Sequence, residues 1–101
     1  MKAYVQVSPR AEKDFQRLDG TTRRRVRSVL ADRLTAVPAP ANLDAKALEG
    51  PLHWLRVRVG EHRIVCRPFT PVELRATGSS LGWYVARISN GKELPTAVKN
   101  L

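Results

Sequence analysis

The middle of the chain carries the most regular pattern of hydrophobic and polar positions. The run Trp54-Leu55-Arg56-Val57-Arg58-Val59 alternates, and a period of two is typical of a strand with one buried face. After Gly60-Glu61, the run His62-Arg63-Ile64-Val65-Cys66-Arg67 resumes β character. A two-residue loop that begins with glycine predicts a hairpin with a type II′ turn.

A turn at Gly60-Glu61 fixes the register of this hairpin, with Arg58 opposite Arg63 and Val57 opposite Ile64. Alternation then assigns the two faces. The face expected to lie under the helices carries Leu55, Val57, Val59, Ile64 and Cys66, with His62 at its edge. The opposite face carries Trp54, Arg56, Arg58, Arg63 and Arg67.

The flanking segments predict further elements around this hairpin. Helices are expected where hydrophobic residues recur at helical spacing after a capping residue, and strands where Val, Ile and aromatic residues cluster. Before the hairpin, these are a strand over 3–7, a helix from Ser8-Pro9 to Asp19-Gly20, and a second helix capped by Thr21 or Thr22 and stopped at Pro38-Ala39-Pro40. A brief strand near Lys46–Leu48 follows. After the hairpin come an irregular loop or longer hairpin arm over 70–82, a strand from Trp83 to Ser89, and a short C-terminal helix from about Lys92 or Pro95 to Asn100.

This order predicts the α+β class. A helical hairpin packs on one face of a small, largely antiparallel sheet, in the order strand, helix, helix, then three strands. The 101 residues fit one domain over 1–101.

The arginine-rich face points to a polyanion. Arg58 directly opposes Arg63, and like charges at such a pair destabilise a sheet unless an anion lies between them. Guanidinium groups bind phosphate in a bidentate manner, and Trp54 is placed to stack on a base or on Arg67. We therefore expect this face to bind phosphate groups.

The overall charge agrees with an anionic partner. The formal net charge is +9, and the excess of lysine and arginine is typical of nucleic-acid-binding domains. Arg23, Arg24, Arg25 and Arg27 crowd the first turns of the second helix, where positive charge opposes the helix dipole. Of these, Arg23, Arg24 and Arg27 are interpreted as candidate RNA contacts.

Other features narrow the chemistry. Cys66 is the only cysteine, so neither an internal disulfide nor a thiolate zinc site is expected, and it is interpreted as a small buried hydrophobic residue. The N-terminal residues lack an apolar signal segment and no stretch is long enough to span a membrane, which predicts a cytoplasmic protein without a membrane partner. No metal and no small-molecule cofactor are expected.

The whole chain resembles the RelE/ParE toxin superfamily, the toxin halves of bacterial toxin–antitoxin pairs, and its short first helix resembles the RelE branch. The hairpin is the most specific part of the resemblance. The matching segments are Val7-Ser8-Pro9-Arg10-Ala11-Glu12-Lys13-Asp14-Phe15, Leu48-Glu49-Gly50, the hairpin from Leu55 to Val65, and Arg87-Ile88-Ser89-Asn90-Gly91-Lys92-Glu93.

For RelE-type members the resemblance implies ribosome-dependent mRNA cleavage, in which the RNA's own 2′-hydroxyl attacks the adjacent phosphate. Arg56 and Arg58 match two basic positions of the first hairpin strand, and Arg63 matches the arginine of the next. Two departures stand out: arginine at 56 and 58 replaces the lysine frequent in these nucleases, and the C-terminal aromatic residue is missing. Arginine is a poor general base, so His62 and Lys92 are the candidates for proton transfer.

The resemblance implies three partners: a cognate antitoxin, the ribosome and mRNA. The antitoxin's apolar, acidic segment is expected to cover the basic sheet face or the helical hairpin. Two alternatives to an mRNA interferase remain open from the sequence. One is a ParE-like inhibitor of DNA gyrase that acts by protein contact, and the other is a non-toxic family member that retains antitoxin binding.

Overall fold

A computed structural model describes residues 3–33, 45–48, 54–92 and 94. Its strands are β1 (Tyr4–Val7), β2 (Ala45–Ala47), β3 (Leu55–Val59), β4 (His62–Pro68) and β5 (Gly82–Asn90). Its helices are α1 (Pro9–Gln16), α2 (Gly20–Ser28) and α3 (Pro71–Thr77), and a π-helical turn over Val29–Arg33 continues α2. The predicted C-terminal helix and the helix stop at Pro38-Ala39-Pro40 lie outside the described residues.

The strands form one five-stranded sheet in the order β1-β5-β4-β3-β2. β1 runs parallel to β5, while the other neighbouring pairs are antiparallel, so the sheet is mixed. The α+β class and the brief strand around Lys46 are confirmed. The first and the last strand of the chain are thus parallel neighbours, and α1, α2 and the other three strands lie between them in the sequence.

The hairpin register is the predicted one. Arg58 pairs with Arg63, Val57 with Ile64, and Val59 with His62. Gly60 adopts a φ of 60°, the left-handed conformation that a primed hairpin turn requires at its first central position.

The hydrophobic core lies between the predicted apolar face and the first two helices. Ala11 of α1 and Val26 of α2 are fully buried, as are Ile64 and Cys66 of β4. The apolar residues of the hairpin face are confirmed as core. Trp83 packs against this core as well, while its neighbour Tyr84 lies on the opposite face with Arg67.

The segment 70–82 corrects the sequence interpretation, because it contains α3 rather than an irregular loop or hairpin arm. Thr70 accepts a hydrogen bond from the Glu73 backbone N–H, and the Glu73 carboxylate accepts one from the Thr70 N–H. This capping box starts a helix at Pro71. The helix α3 buries no side chain, so its sequence needs no hydrophobic stripe at helical spacing and has none.

The boundary between the first two helices is also corrected. α1 ends at Gln16, and Asp19 is the N-cap of α2, accepting a hydrogen bond from the Thr22 N–H at 2.7 Å. The predicted caps, Thr21 and Thr22, therefore lie inside the helix. The predicted helix end at Asp19-Gly20 is instead a helix start, since aspartate suits the N-cap at least as well as threonine.

Close packing explains one glycine at the start of β5. A Cβ atom added to Gly82 would lie 2.4 Å from Cδ2 of Phe69, which is buried after β4 and contacts Tyr4 with ring centroids 5.7 Å apart. Glycine at this position lets the aromatic ring cover the end of the sheet where β1, β4 and β5 meet.

We expect the Cys66 thiol to be unreactive in the folded protein. Burial raises its pKa to about 12, so almost no thiolate, the reactive form, is present. A chromogenic disulfide reagent at mildly alkaline pH is expected to label the guanidinium-unfolded chain stoichiometrically and the native chain only slowly. Rapid stoichiometric labelling of native protein would contradict the burial of this side chain.

Candidate nucleic-acid interface

The sheet face opposite the helices, here called the arginine face, is built from rows of residues paired across the strands. In one row, Arg58 pairs with Arg63 and Arg63 with Ser89. In the next row lie Lys46, Arg56, Val65 and Arg87. Trp54, Arg67 and Tyr84 contact one another beyond these rows.

The Gly60 carbonyl accepts hydrogen bonds from both members of the opposed arginine pair. Nη1 of Arg63 donates hydrogen bonds to the carbonyl oxygens of Gly60 and His62, each at 3.0 Å. Nε of Arg58 donates to the same Gly60 oxygen at 3.4 Å. The partial negative charge of the turn carbonyl offsets part of the repulsion between the two cations, and their remaining N–H groups are available to an anion.

Arg56 lies in the next row and is half-buried. Its Nε is shielded from solvent and has no hydrogen-bond partner in the part of the chain that the structure describes. The Ser89 hydroxyl, on the same face, is also buried and also has no hydrogen-bond partner among the described residues. A buried donor without a partner is costly, and both groups are held in this state among the described residues.

Arg67 is engaged within the protein. Its guanidinium group donates to both carboxylate oxygens of Glu73, at 2.7 and 3.1 Å, and its Cζ lies 4.7 Å from the ring centroid of Tyr84 and 5.7 Å from that of Trp54. The stacking of Trp54 and Arg67 matches one of the two predicted arrangements. The hydrogen bond from Arg67 is the main reason that the pKa of Glu73 falls to about 2.

Arg87 is a cation on the arginine face that sequence reasoning did not select. Its Nε and Nη2 donate to the Asp14 carboxylate at 2.8 and 3.3 Å, and the same carboxylate accepts the backbone N–H of Ile88. Asp14 thus secures α1 to β5. The alternation of the last strand contained the signal for this position, but the partner lies 73 residues away in the sequence.

The distribution of carboxylates divides the arginines into two groups. Arg67 and Arg87 are neutralised by Glu73 and Asp14. No carboxylate of the described residues forms an ion pair with the other three, Arg56, Arg58 and Arg63, which we call the central arginines.

An open cleft of about 440 Å³ adjoins the central arginines, and we call it the sheet-side cleft. Lys92 lines it, exposed to solvent, so the structure brings this predicted residue beside Arg58 and Arg63. The full lining is Arg58, Gly60, Glu61, Arg63, Asn90, Gly91 and Lys92.

His62 is not part of this cluster. It pairs with Val59 and Asn90 at the edge of the core face, as the sequence register predicted, and its side chain is half-buried. There it lies near Asp19, whose pKa is lowered chiefly by the hydrogen bonds from Thr22 and to a smaller extent by the charge of His62. Its position disfavours contact with a phosphate held by the central arginines.

The arginines of α2 separate into two directions. Arg24 faces the β3–β4 turn, where it lines a further cleft with Arg25, a residue not singled out as an RNA contact from the sequence. Arg27 instead lies over the Phe15 ring, with its Cζ 5.5 Å from the ring centroid. Arg23 is one helical turn before Arg27 and so shares that side of α2.

Over the described ranges, no group of three His, Cys, Asp or Glu side chains is placed to hold a metal ion. No helix in the same ranges is long and apolar enough to cross a membrane.

The chain is similar to a known protein family in sequence and to a solved structure in fold. A family model described as "ParE toxin of type II toxin-antitoxin system, parDE" matches residues 5–92. The toxin–antitoxin complex RelBE2 from Mycobacterium tuberculosis is similar in fold, with a TM-score of 0.66, 16% sequence identity, and coverage of 89% of this chain and 99% of that chain. No curated protein matches the sequence.

The Arg67–Glu73 pair generates a prediction about pH. The pKa of Glu73 is depressed in the folded protein from its ordinary 4.5 to about 2, so the pair stabilises the fold above pH 4.5 and loses that effect as pH falls toward 2. We expect Glu73→Gln to lower the melting temperature modestly at neutral pH, since the pair is solvent-screened. The difference from wild type should close on acidification.

The control for this experiment is the same substitution in an Arg67→Met background, which already lacks the cation. There, Glu73→Gln should have a much smaller effect on the melting temperature at neutral pH. A difference that is equally large in both backgrounds, or that persists at pH 2, would show that Glu73 acts through helix capping alone.

Proposed function

We propose that this chain, which belongs to the ParE toxin family of type II toxin–antitoxin systems within the RelE/ParE superfamily, is a ribosome-dependent mRNA interferase like the RelE-type members of that superfamily. The mRNA backbone lies across the arginine face. The central arginines hold the phosphate at which the strand is cut, and Lys92 adds a further positive charge at the edge of the sheet-side cleft.

The observation that carries this proposal is the set of central arginines. They occupy adjacent rows of one sheet face, and none is paired with a carboxylate of the described residues. Guanidinium groups match phosphate oxygens in shape and charge. A face prepared in this way favours a ligand that brings several phosphates at regular spacing, as RNA does.

The proposed reaction needs charge stabilisation more than any other help. The 2′-hydroxyl oxygen attacks the adjacent phosphorus and the bond from phosphorus to the 5′-oxygen breaks. The 2′-hydroxyl loses its proton and the leaving oxygen gains one, which gives a 2′,3′-cyclic phosphate and a 5′-hydroxyl. Negative charge gathers on the non-bridging phosphate oxygens in the transition state, where Arg58 and Arg63 stabilise it as preorganised donors.

Inhibition of DNA gyrase by protein contact is the second candidate. The family model that matches is named for the parDE system, and His62, the predicted titratable side chain, lies on the core side of the sheet. In this alternative the central arginines bind an acidic protein surface instead of RNA. A supercoiling assay with purified gyrase distinguishes it from the leading proposal.

A cognate antitoxin is the proposed protein partner. An apolar cleft of about 250 Å³ opens between α1, α2 and the edge of the sheet, and its two charged lining residues are Glu12 and Arg27. Its apolar lining consists of Val7, Phe15, Leu30 and Ile88. An antitoxin segment with apolar anchors and acidic flanks suits this cleft and the basic surface around it.

We expect Arg63→Ala to lower mRNA cleavage on stalled ribosomes by at least about tenfold, because it removes one contact to the transition-state phosphate oxygens. Cleavage is measured by mapping new 3′ ends inside the A-site codon of a short message.

The matched control is Arg10→Ala, which removes an exposed arginine on α1 away from the arginine face. It should cleave like wild type. Equal cleavage by folded Arg63→Ala would remove Arg63 from the site. Intact mRNA with folded wild-type protein would overturn the interferase proposal, and inhibited supercoiling in the parallel assay would favour the second candidate.

A further inference from the structure

A second basic cleft lies on the other side of the β3–β4 turn. It encloses about 440 Å³, and we call it the helix-side cleft. Arg58 and Gly60 line both this cleft and the sheet-side cleft, so the two meet at the turn. The full lining of the helix-side cleft is Arg24, Arg25, Ser28, Val29, Arg58, Val59 and Gly60.

Arg25 reaches the turn from α2. A Cβ atom added to Gly60 would lie 3.2 Å from Nη1 of Arg25 and 3.9 Å from its Cζ. On the sheet side, Arg58 and Arg63 both donate to the carbonyl oxygen of Gly60. Three guanidinium groups from three different elements therefore surround one glycine.

The helix-side cleft has little internal counter-charge among the described residues. Arg24 makes a long hydrogen bond of 3.5 Å to the Thr21 hydroxyl, and no described carboxylate forms an ion pair with Arg24 or Arg25. Ser28 directs its hydroxyl to Asp32 at 3.3 Å. Arg25 lies in the last turn of α2, where the helix dipole does not oppose a cation, so the case for a bound anion rests on the missing counter-charge.

We propose that the helix-side cleft binds a phosphate group of the same RNA strand that lies on the arginine face. The backbone then crosses the β3–β4 turn, with phosphates held by the central arginines on one side and by Arg24 and Arg25 on the other. Arg58 lines both clefts and contacts the strand at the crossing. The identity of the ligand rests on the proposed function, whereas the contact itself requires no cleavage.

The test measures binding of a short single-stranded 2′-O-methyl RNA, which cannot be cleaved because its nucleophile is blocked. The full chain is titrated at salt concentrations between about 50 and 200 mM, and the logarithm of the affinity is plotted against the logarithm of the salt concentration. Each phosphate contact on a single strand contributes about 0.7 to the slope of this plot.

We expect the Arg24→Gln/Arg25→Gln variant to lose about 0.7 from the magnitude of the slope, the value for one phosphate contact. Arg24→Lys/Arg25→Lys keeps both charges and should keep the slope of wild type. The matched control is Arg10→Gln/Arg17→Gln. It removes two exposed arginines, one in α1 and one at the C-cap of α1, and should also keep the slope of wild type. Thermal melts of every variant establish that it is folded.

A folded Arg24→Gln/Arg25→Gln variant with the slope of wild type would overturn the proposal. So would an equal loss of slope in the α1 control, because the effect would then be that of net charge. A competition with polyglutamate, added at the same concentration of negative charge as the RNA, tests the class of ligand. Stoichiometric displacement of the RNA would assign the cleft to an acidic protein and overturn its assignment to RNA. The proposed function fails separately: tight, steeply salt-dependent binding without ribosomal cleavage keeps this inference and rejects the nuclease.

Discussion

The register of the β3–β4 hairpin is the constraint on which both faces of the sheet depend. Gly60, with its φ of 60°, sets the turn, and the turn sends Val57 and Ile64 into the core and Arg58 and Arg63 to the other face. A slip of one residue would exchange the two sets and bury guanidinium groups against the helices, a cost that a domain of this size could not bear. The core and the arginine face are therefore consequences of the same turn.

The helices then decide which arginines a ligand meets. Asp14 of α1 neutralises Arg87, and Glu73 of α3 neutralises Arg67, so each carboxylate closes one part of the arginine face. Arg56 lies in the row of Arg87, and Arg58 and Arg63 lie in the next row toward the β3–β4 turn, on the side away from Arg67. In the strand pattern all the arginines look equivalent. Tertiary contacts divide them into arginines that stabilise the fold and arginines that remain available to a polyanion.

The parts of this arrangement that were predictable from the sequence are those encoded locally. Strict alternation around a Gly-Glu turn specified the hairpin, its register and its faces. The capping box from Thr70 to Glu73 is also a local signal, but no hydrophobic stripe accompanies it, because α3 buries no side chain. The proximity of Arg25 to the turn depends on how α2 packs over the sheet, and no local pattern expresses it.

The arginine face suits some phosphate chemistries better than others. Hydrolysis by water requires a base that activates the water, and arginine hardly gives up its proton. RNA carries its own nucleophile, the 2′-hydroxyl of the ribose. Its cleavage therefore requires the protein chiefly to orient the strand and to stabilise charge on the phosphate oxygens. Guanidinium groups held by the Gly60 carbonyl supply both. DNA, which lacks the 2′-hydroxyl, would gain only binding from the same residues, so the proposed cleavage is open to RNA and not to DNA.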